Sequence, residues 1–467
     1  MEFRVLGTFA NHGYLWPEDD FVKALNERKP DLIAGQGTNT DPGPGYLGLA
    51  VNICGRYSVK KVRTQLIVNA KKAGVPFCIS VGTSGCDDVL FNFELDIINE
   101  VAKENNLKLK LAVISGEVDK RFITSAINRG TQIPRLIDHP RLSEFLTIKE
   151  VEDSARVVAQ MGHEPIMKAL DHDVDGVITG RAMDTALFMG MPIKRGFDKA
   201  LVAHMAKVME CGALATVPKD PKDPSKNGAL NGVFGVLHDD HFLVSPINSK
   251  QKCTIASVLA HSFYERADPF VERMPGGALN IVDAVYEQVD EQTVKVSNSK
   301  WIEEDYTIKL EGVRSIGYRS ISIFGVRNPS TIGVIDLLLG RVRDAVRERF
   351  LPMVEGKDFD LYFHVYGKNA ILGALEQITD SNPHEIVVVA EAIAKTQDLA
   401  TDVTVNARVL FTAQQFEGRR TTAGNEALPF SPSEPPLGEA FIWNIMHRMP
   451  IPDPCEPFKM QILEFPR

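Results

Sequence analysis

The sequence predicts an α/β protein: a mostly parallel N-terminal sheet with helices on both faces, followed by a mixed α+β domain. Three observations carry this. Over residues 1–217, short β-rich apolar runs alternate with stretches of helical periodicity, the signature of β-α units. Each apolar run ends at Gly, Ser or Thr or beside one. From Pro218 to Asn231 the chain reads PKDPKDPSKNGALN, with almost nothing to bury, and the alternation stops there. The expected division is therefore 1–217, a linker or lid at 218–231, and 232–467.

The predicted strands of the first domain are Phe3–Phe9, Asp31–Gly35, Phe77–Val81, Leu107–Ser115 and Gly176–Thr179. Ser58–Ala73, Asp87–Asn105 and Lys149–Met161 show apolar residues at helical spacing. Downstream, Val233–Leu237 and Phe242–Val244 read as a hairpin. Helices are expected near Lys252–Arg266, Pro275–Glu287 and Thr331–Phe350, and strands across Val294–Val326, Asp360–Val365 and Glu385–Ala394. The segment Gly418–Pro454 reads as mostly loop.

Composition narrows the function. The 467 residues are 44% hydrophobic and 24% charged, with 52 Lys and Arg against 61 Asp and Glu, a net charge of −9. A chain this size builds its core without staples. An acidic chain lacking a Lys/Arg block repels phosphate backbones, which argues against nucleic acid and anionic membrane as partners. Six scattered cysteines with no C-x-x-C pair, and an N-terminus without a secretory pattern, lead to an expectation of reduced thiols and a cytoplasmic location.

Ligands of parallel sheets gather beyond the carboxyl ends of the strands, so the loops there are the candidates. The first is Gly35-Gln36-Gly37-Thr38-Asn39, opening a Gly/Pro-rich stretch to Gly48 whose backbone amides could close on an anion or simply turn the chain. Gly43-x-Gly45-x-x-Gly48 matches the dinucleotide fingerprint in form. It lies too far past the strand, contains Pro44 and lacks the acidic residue about twenty positions on. The second loop, Gly82-Thr83-Ser84-Gly85, leads into Cys86-Asp87-Asp88 at a helix start, where a thiol can become a thiolate or the acids can simply cap the helix. The spacing is not that of a serine nucleophile elbow. Glu117 follows the fourth strand, Leu107–Ser115, and offers a general base or metal ligand, or a first-turn acid. After the fifth strand, Gly176–Thr179, come Arg181, whose guanidinium can grip a carboxylate or phosphate at two points, and Asp184, a base, an orienting group or a cap. Glu210-Cys211, at a helix end that Gly212 closes, could act as an acid/thiol pair or simply end the helix.

Several of these segments, with others, resemble a known family. Ile178-Thr179-Gly180-Arg181-x-x-Asp184, Glu210-Cys211-Gly212-Ala213, Glu311-Gly312-Val313-x-x-Ile316-Gly317-Tyr318-Arg319, Val365-Tyr366-Gly367 and Thr422-Ala423-Gly424-Asn425 with Pro429-Phe430-Ser431-Pro432 are similar in order and spacing to the acyclic terpene utilisation family. Where that family usually reads Thr-Gly-Gly, Thr216 is followed here by Val217-Pro218. The resemblance implies a catabolic protein of branched organic acids and acyl-CoA, often working with a small companion protein.

Together these readings give an enzyme of the lyase or hydratase class acting on a small anionic metabolite. Glu117 or Asp184 is the expected base and Cys86 a further catalytic candidate. Gly35, Gln36, Gly37, Thr38, Asn39, Gly82, Thr83, Ser84, Gly85 and Arg181 are the expected substrate-binding residues. Oxygen ligands of this kind suit Mg2+ or Mn2+. A homo-oligomer is expected. The alternatives are a non-catalytic acyl-binding scaffold and a thiol-dependent isomerase using Cys86 or Cys211.

Overall fold

The computed structural model describes residues 1–137, 140–220, 222, 230–378, 381–419 and 426–467. Most of the predicted linker or lid and the Thr422–Asn425 motif lie outside the described residues.

Five parallel strands form the centre of a ten-stranded sheet in the order β1 (Phe3–Gly7), β2 (Leu32–Gly35), β3 (Phe77–Ser80), β6 (Gly176–Thr179), β4 (Leu109–Ile114). β5 (Arg156–Ala159) lies off this path and pairs with the strand Thr307–Val326. The register aligns Ile79 with Ile178 and Val113 with Ile178, so the strand ends fall level and their loops emerge side by side. Alternate residues Leu32, Ala34, Cys78, Val177, Ala112 and Ile114 join one large apolar cluster, while Ile33, Ile79, Ile178, Leu111 and Val113 between them are equally buried. Both faces of the parallel sheet are therefore covered, as parallel pairing requires.

The chain divides at other points than the linker suggests. One compact unit comprises Met1–Val313 with Trp443–Arg467, and the other Arg314–Ile442. Antiparallel strands Val233–Leu237 and His241–Pro246 extend the first sheet beyond β1, and Met460–Phe465 closes its other edge against β4. The expected boundary near 217–232 is thus corrected: hydrogen bonding along β1 carries the sheet straight across it.

The second unit is α+β. Strands Phe359–Tyr366, Ile386–Ala394 and the later part of Thr307–Val326 pair antiparallel. Ile386, Val388, Ala390 and Ala392 are buried in alternation, and pack in one cluster with Leu338, Val342, Val403 and Ala407 of two helices.

Several elements depart from expectation. Lys149–Met161 splits into a helix, Ile148–Asp153, capped by Thr147 and Glu150, and then β5. Pro275–Glu287 is not helical: Pro275-Gly276 turns a hairpin between Val271–Met274 and Gly277–Asn280. The supposed loop segment holds a strand, Pro436–Pro450. Among the described residues no helix is long and apolar enough to cross a membrane.

Candidate functional site

The loops after β1, β2, β3, β4 and β6 meet at one end of the parallel sheet, and glycine lets them. Gly85 sits at φ +65, a conformation L side chains rarely adopt. A Cβ on Gly116 would stand 2.0 Å from the Arg181 amide nitrogen, and one on Gly180 would stand 2.5 Å from the Gly85 carbonyl oxygen. Three backbones thus cross where no side chain fits, and Arg181 is placed at their centre by its amide, which donates to the Gly85 carbonyl at 3.1 Å.

Arg181 is buried and its fork is filled from within the protein. Nε donates to Glu311 Oε2 at 2.7 Å and Nη2 to Glu311 Oε1 at 3.3 Å, while Nη1 donates to the carbonyls of Thr38 at 2.9 Å and Ala182 at 3.2 Å. Glu311 is 0% exposed and also meets Lys309 Nζ at 2.8 Å and the Thr40 hydroxyl at 3.2 Å. Burial raises the Glu311 carboxyl, but Arg181 and Lys309 outweigh it and hold the group down at about 2. Glu311 comes from the start of Thr307–Val326, where it pairs with Val158 of β5. Arg181 therefore braces loops, and its two-point grip is spent on Glu311 rather than left open for a metabolite.

The predicted loop amides are likewise engaged. Those of Gly37 and Thr38 donate to the Ser80 hydroxyl, at 2.6 and 3.0 Å, and that of Asn39 donates to the Thr83 carbonyl at 2.7 Å. Gly82 donates to Glu94 at 3.2 Å and Thr83 to His12 Nδ1 at 3.1 Å. Glu94 belongs to a second fully buried ion pair, with Arg63, that holds this loop from behind. The sequence brought Gly35–Asn39, Gly82–Gly85 and Arg181 to one place, and they are there, but these amides brace one another. Gln36 Oε1 and Asn39 Oδ1 remain buried without a partner.

Asp184 faces a different set of groups. Its side chain keeps 28% of its surface open, yet Oδ1 is buried, unbonded and 3.7 Å from Arg181 Nη1. Burial raises its pKa to about 6 against the pull of Arg181 and Lys207, with Glu265 and Asp41 pushing it further up. Lys207 and Glu210, one turn apart at the end of the helix Lys199–Met209, form a buried pair at 2.6 Å. Glu272 lies 3.8 Å from Lys207 and 2.7 Å from Arg266. Burial pushes Glu210 up as well, to about 8, with Asp184 and Glu272 adding to the effect and Lys207 opposing it. Burial lowers and Glu210 and Glu272 raise Lys207, and the carboxylates win, so it stays charged. Cys211 follows, and His261, in the last turn of Ile255–Ser262, brings its ring to the same place.

The other catalytic candidates lie elsewhere in the rim. Glu117 accepts from the Asp87 amide at 3.0 Å and pairs with Arg156 at 3.4 Å, so it ties β4's loop to the start of the helical segment that follows β3. Cys86 is 0% exposed, and burial raises its thiol, as it does that of Cys211. Neither thiol is electrostatically prepared as a free nucleophile, which corrects the thiolate expectation: desolvation outweighs any benefit of a helix start.

Beside Met183 a cavity of about 120 Å3 is lined by Gln160, Met183, Arg273, Lys309 and Arg448 among others, three cations and no carboxylate. The sequence reading missed it, as it missed Lys207, His261 and Glu272. Only Glu311 carried a prior signal, through its Glu-Gly-Val motif.

Fold and site define an α/β protein with a buried acid/base cluster at the carboxyl end of a parallel sheet. The model of the acyclic terpene utilisation family protein AtuA matches residues 81–431, and the chain belongs to this family, whose name gives a catabolic context. No curated protein and no solved structure matches the chain significantly. Arg181, Asp184, Glu210, Cys211 and Glu311, drawn from three separate family-like motifs, are the residues that cluster here.

Proposed function

We propose that this protein is an enzyme of organic-acid breakdown. It acts on a small hydroxy- or unsaturated carboxylate, free or as its coenzyme A thioester, by proton abstraction beside a carbonyl, in the lyase or hydratase class. The observation that carries the reading is Asp184: a carboxylate lifted into the neutral range by burial, with an unbonded oxygen, at the mouth of the sheet. A base poised there takes a proton and returns it within one active-site cycle. The Arg181–Glu311 pair positions the loop that carries Asp184. The groove lined by Arg448, with Lys309 and Arg273 that also pair with Glu311 and Glu304, supports binding of the anionic end, a task the sequence reading gave to Arg181 and the loop amides.

The test is turnover of hydroxy acids, unsaturated acids and their CoA esters by wild type and Asp184→Asn, with binding followed by thermal shift. Asp184→Asn should lose turnover by about 100-fold or more while the ligand-induced shift persists. Unchanged turnover would remove Asp184 as base. A cytoplasmic location, a homo-oligomer and a small companion subunit belong to the same proposal, the last two read by light-scattering mass with and without cell extract.

A further inference from the structure

Cys211, Glu210 and His261 each offer one donor atom, and the three atoms all lie within 4.8 Å of one another. Two packed helices produce this. The helix Lys199–Met209 ends in Glu210-Cys211, and the chain then turns at Gly212, at φ +56, where a Cβ would stand 2.5 Å from the Asn231 carbonyl oxygen. His261 comes from Ile255–Ser262, which packs against that helix. His261 is 6% exposed, and its Nε2 is buried with no hydrogen-bond partner. A buried imidazole nitrogen left unpaired costs roughly 1–3 kcal/mol unless something occupies it.

From this geometry we propose that Glu210, Cys211 and His261 form a zinc site, with a fourth position open to a water or to an oxygen of the substrate. A thiolate, an imidazole and a carboxylate make the mixed S, N, O set that suits Zn2+. Mg2+ and Mn2+, which the sequence favoured, prefer all-oxygen shells. Lys207 engages Glu210 through Oε1, leaving the second carboxylate oxygen for the ion and holding the side chain in place. A zinc here would lie beside the base assigned above and polarise the oxygen next to the carbon that loses its proton. The inference rests on that reading for the site's purpose, though not for the ion's presence.

The experiment strips the full chain with a chelator and titrates it with CoCl2 and, separately, ZnCl2. Wild type should take up one ion per chain, and the cobalt form should show thiolate-to-metal charge transfer with the visible bands of a tetrahedral ion. Cys211→Ser should lose the charge-transfer band, and His261→Gln should weaken binding at least about tenfold. Circular dichroism of each apo variant checks folding, and two independent ligand variants keep the result readable if one fails to fold. Folded wild type that takes up no cobalt or zinc would overturn the site, as would charge transfer that survives in Cys211→Ser. Asp184→Asn should keep the full cobalt spectrum. If it binds cobalt and still turns over, the base assignment fails and the zinc site stands. If it loses turnover while wild type binds no metal, the reverse holds.

Discussion

Glu311, marked in the sequence only by its Glu-Gly-Val motif, shows how one residue can organise a site. It is fully buried, it answers the Arg181 fork with both oxygens, and Lys309 and Thr40 complete its shell. Replacing it by Gln keeps the shape and removes the charge that two cations rely on. Loss of one partner from a buried pair typically costs about 3–5 kcal/mol, because the other charge is left uncompensated. Glu311→Gln is therefore expected to lower the urea unfolding free energy by that order. A loss below about 1 kcal/mol would show that water reaches Arg181 and that the pair is not closed. Arg181 was legible in the sequence, because an arginine just after a predicted strand end is a site signal. Its pairing with Glu311 was not, because the two stand 130 residues apart and pairing at that separation is written in the fold, not in any window of sequence. The same holds for Lys207 and His261, which read locally as ordinary helix residues.

At the scale of elements, two glycines that look alike in sequence have opposite roles. Gly45 lies inside the short helix Pro44–Leu49, and a Cβ there would meet nothing within 4 Å. Gly116 lies at the loop crossing, where a Cβ would collide with the Arg181 backbone. Gly45→Ala should therefore stabilise the protein by about 0.5–1 kcal/mol, through helix propensity and a less flexible unfolded chain. Gly116→Ala should destabilise it by about 1–3 kcal/mol or more, since backbone, unlike a side-chain tip, cannot swing aside. Denaturant midpoints of the two variants check this, and equal effects would refute the crossing. The parallel strands were legible because their apolar runs are short, bounded and repeated. Pro275-Gly276 was misread inside a helical pattern although that dipeptide is a turn signal. Pro436–Pro450 was missed because polar Asn444, His447 and Arg448 sit in a strand whose pairing partners are remote in sequence; His447 is fully buried beside Arg135, which bridges to it.

For the whole molecule, the four buried histidines outside the proposed zinc site set the response to acid. His12 and His447 are held down at about 4, and His163 and His204 at about 3. Burial is the main cause for all four, with Arg63 and Arg181 adding at His12, Lys199 at His163, Arg266 at His204 and Arg135 at His447, where Glu150 opposes. Each is neutral in the folded chain and gains a proton near pH 6.5 once unfolded. Between those values the unfolded state binds more protons, so stability falls as pH falls from 6.5 toward 4 and is fully present above 6.5. Asp184 and Glu210 act in the opposite sense: their raised values mean that the folded state holds protons the unfolded state has released, and this contribution weakens folding as pH rises from about 4. Four histidines, each contributing up to about 2 kcal/mol at pH 5, outweigh two acids over the interval from 7 to 5. The urea midpoint should therefore be clearly lower at pH 5 than at pH 7, with an unchanged slope. A midpoint that holds steady or rises would mean that these rings are charged in the folded protein and that their surroundings are wetter than the packing around β1, β6 and the helix Lys199–Met209 implies.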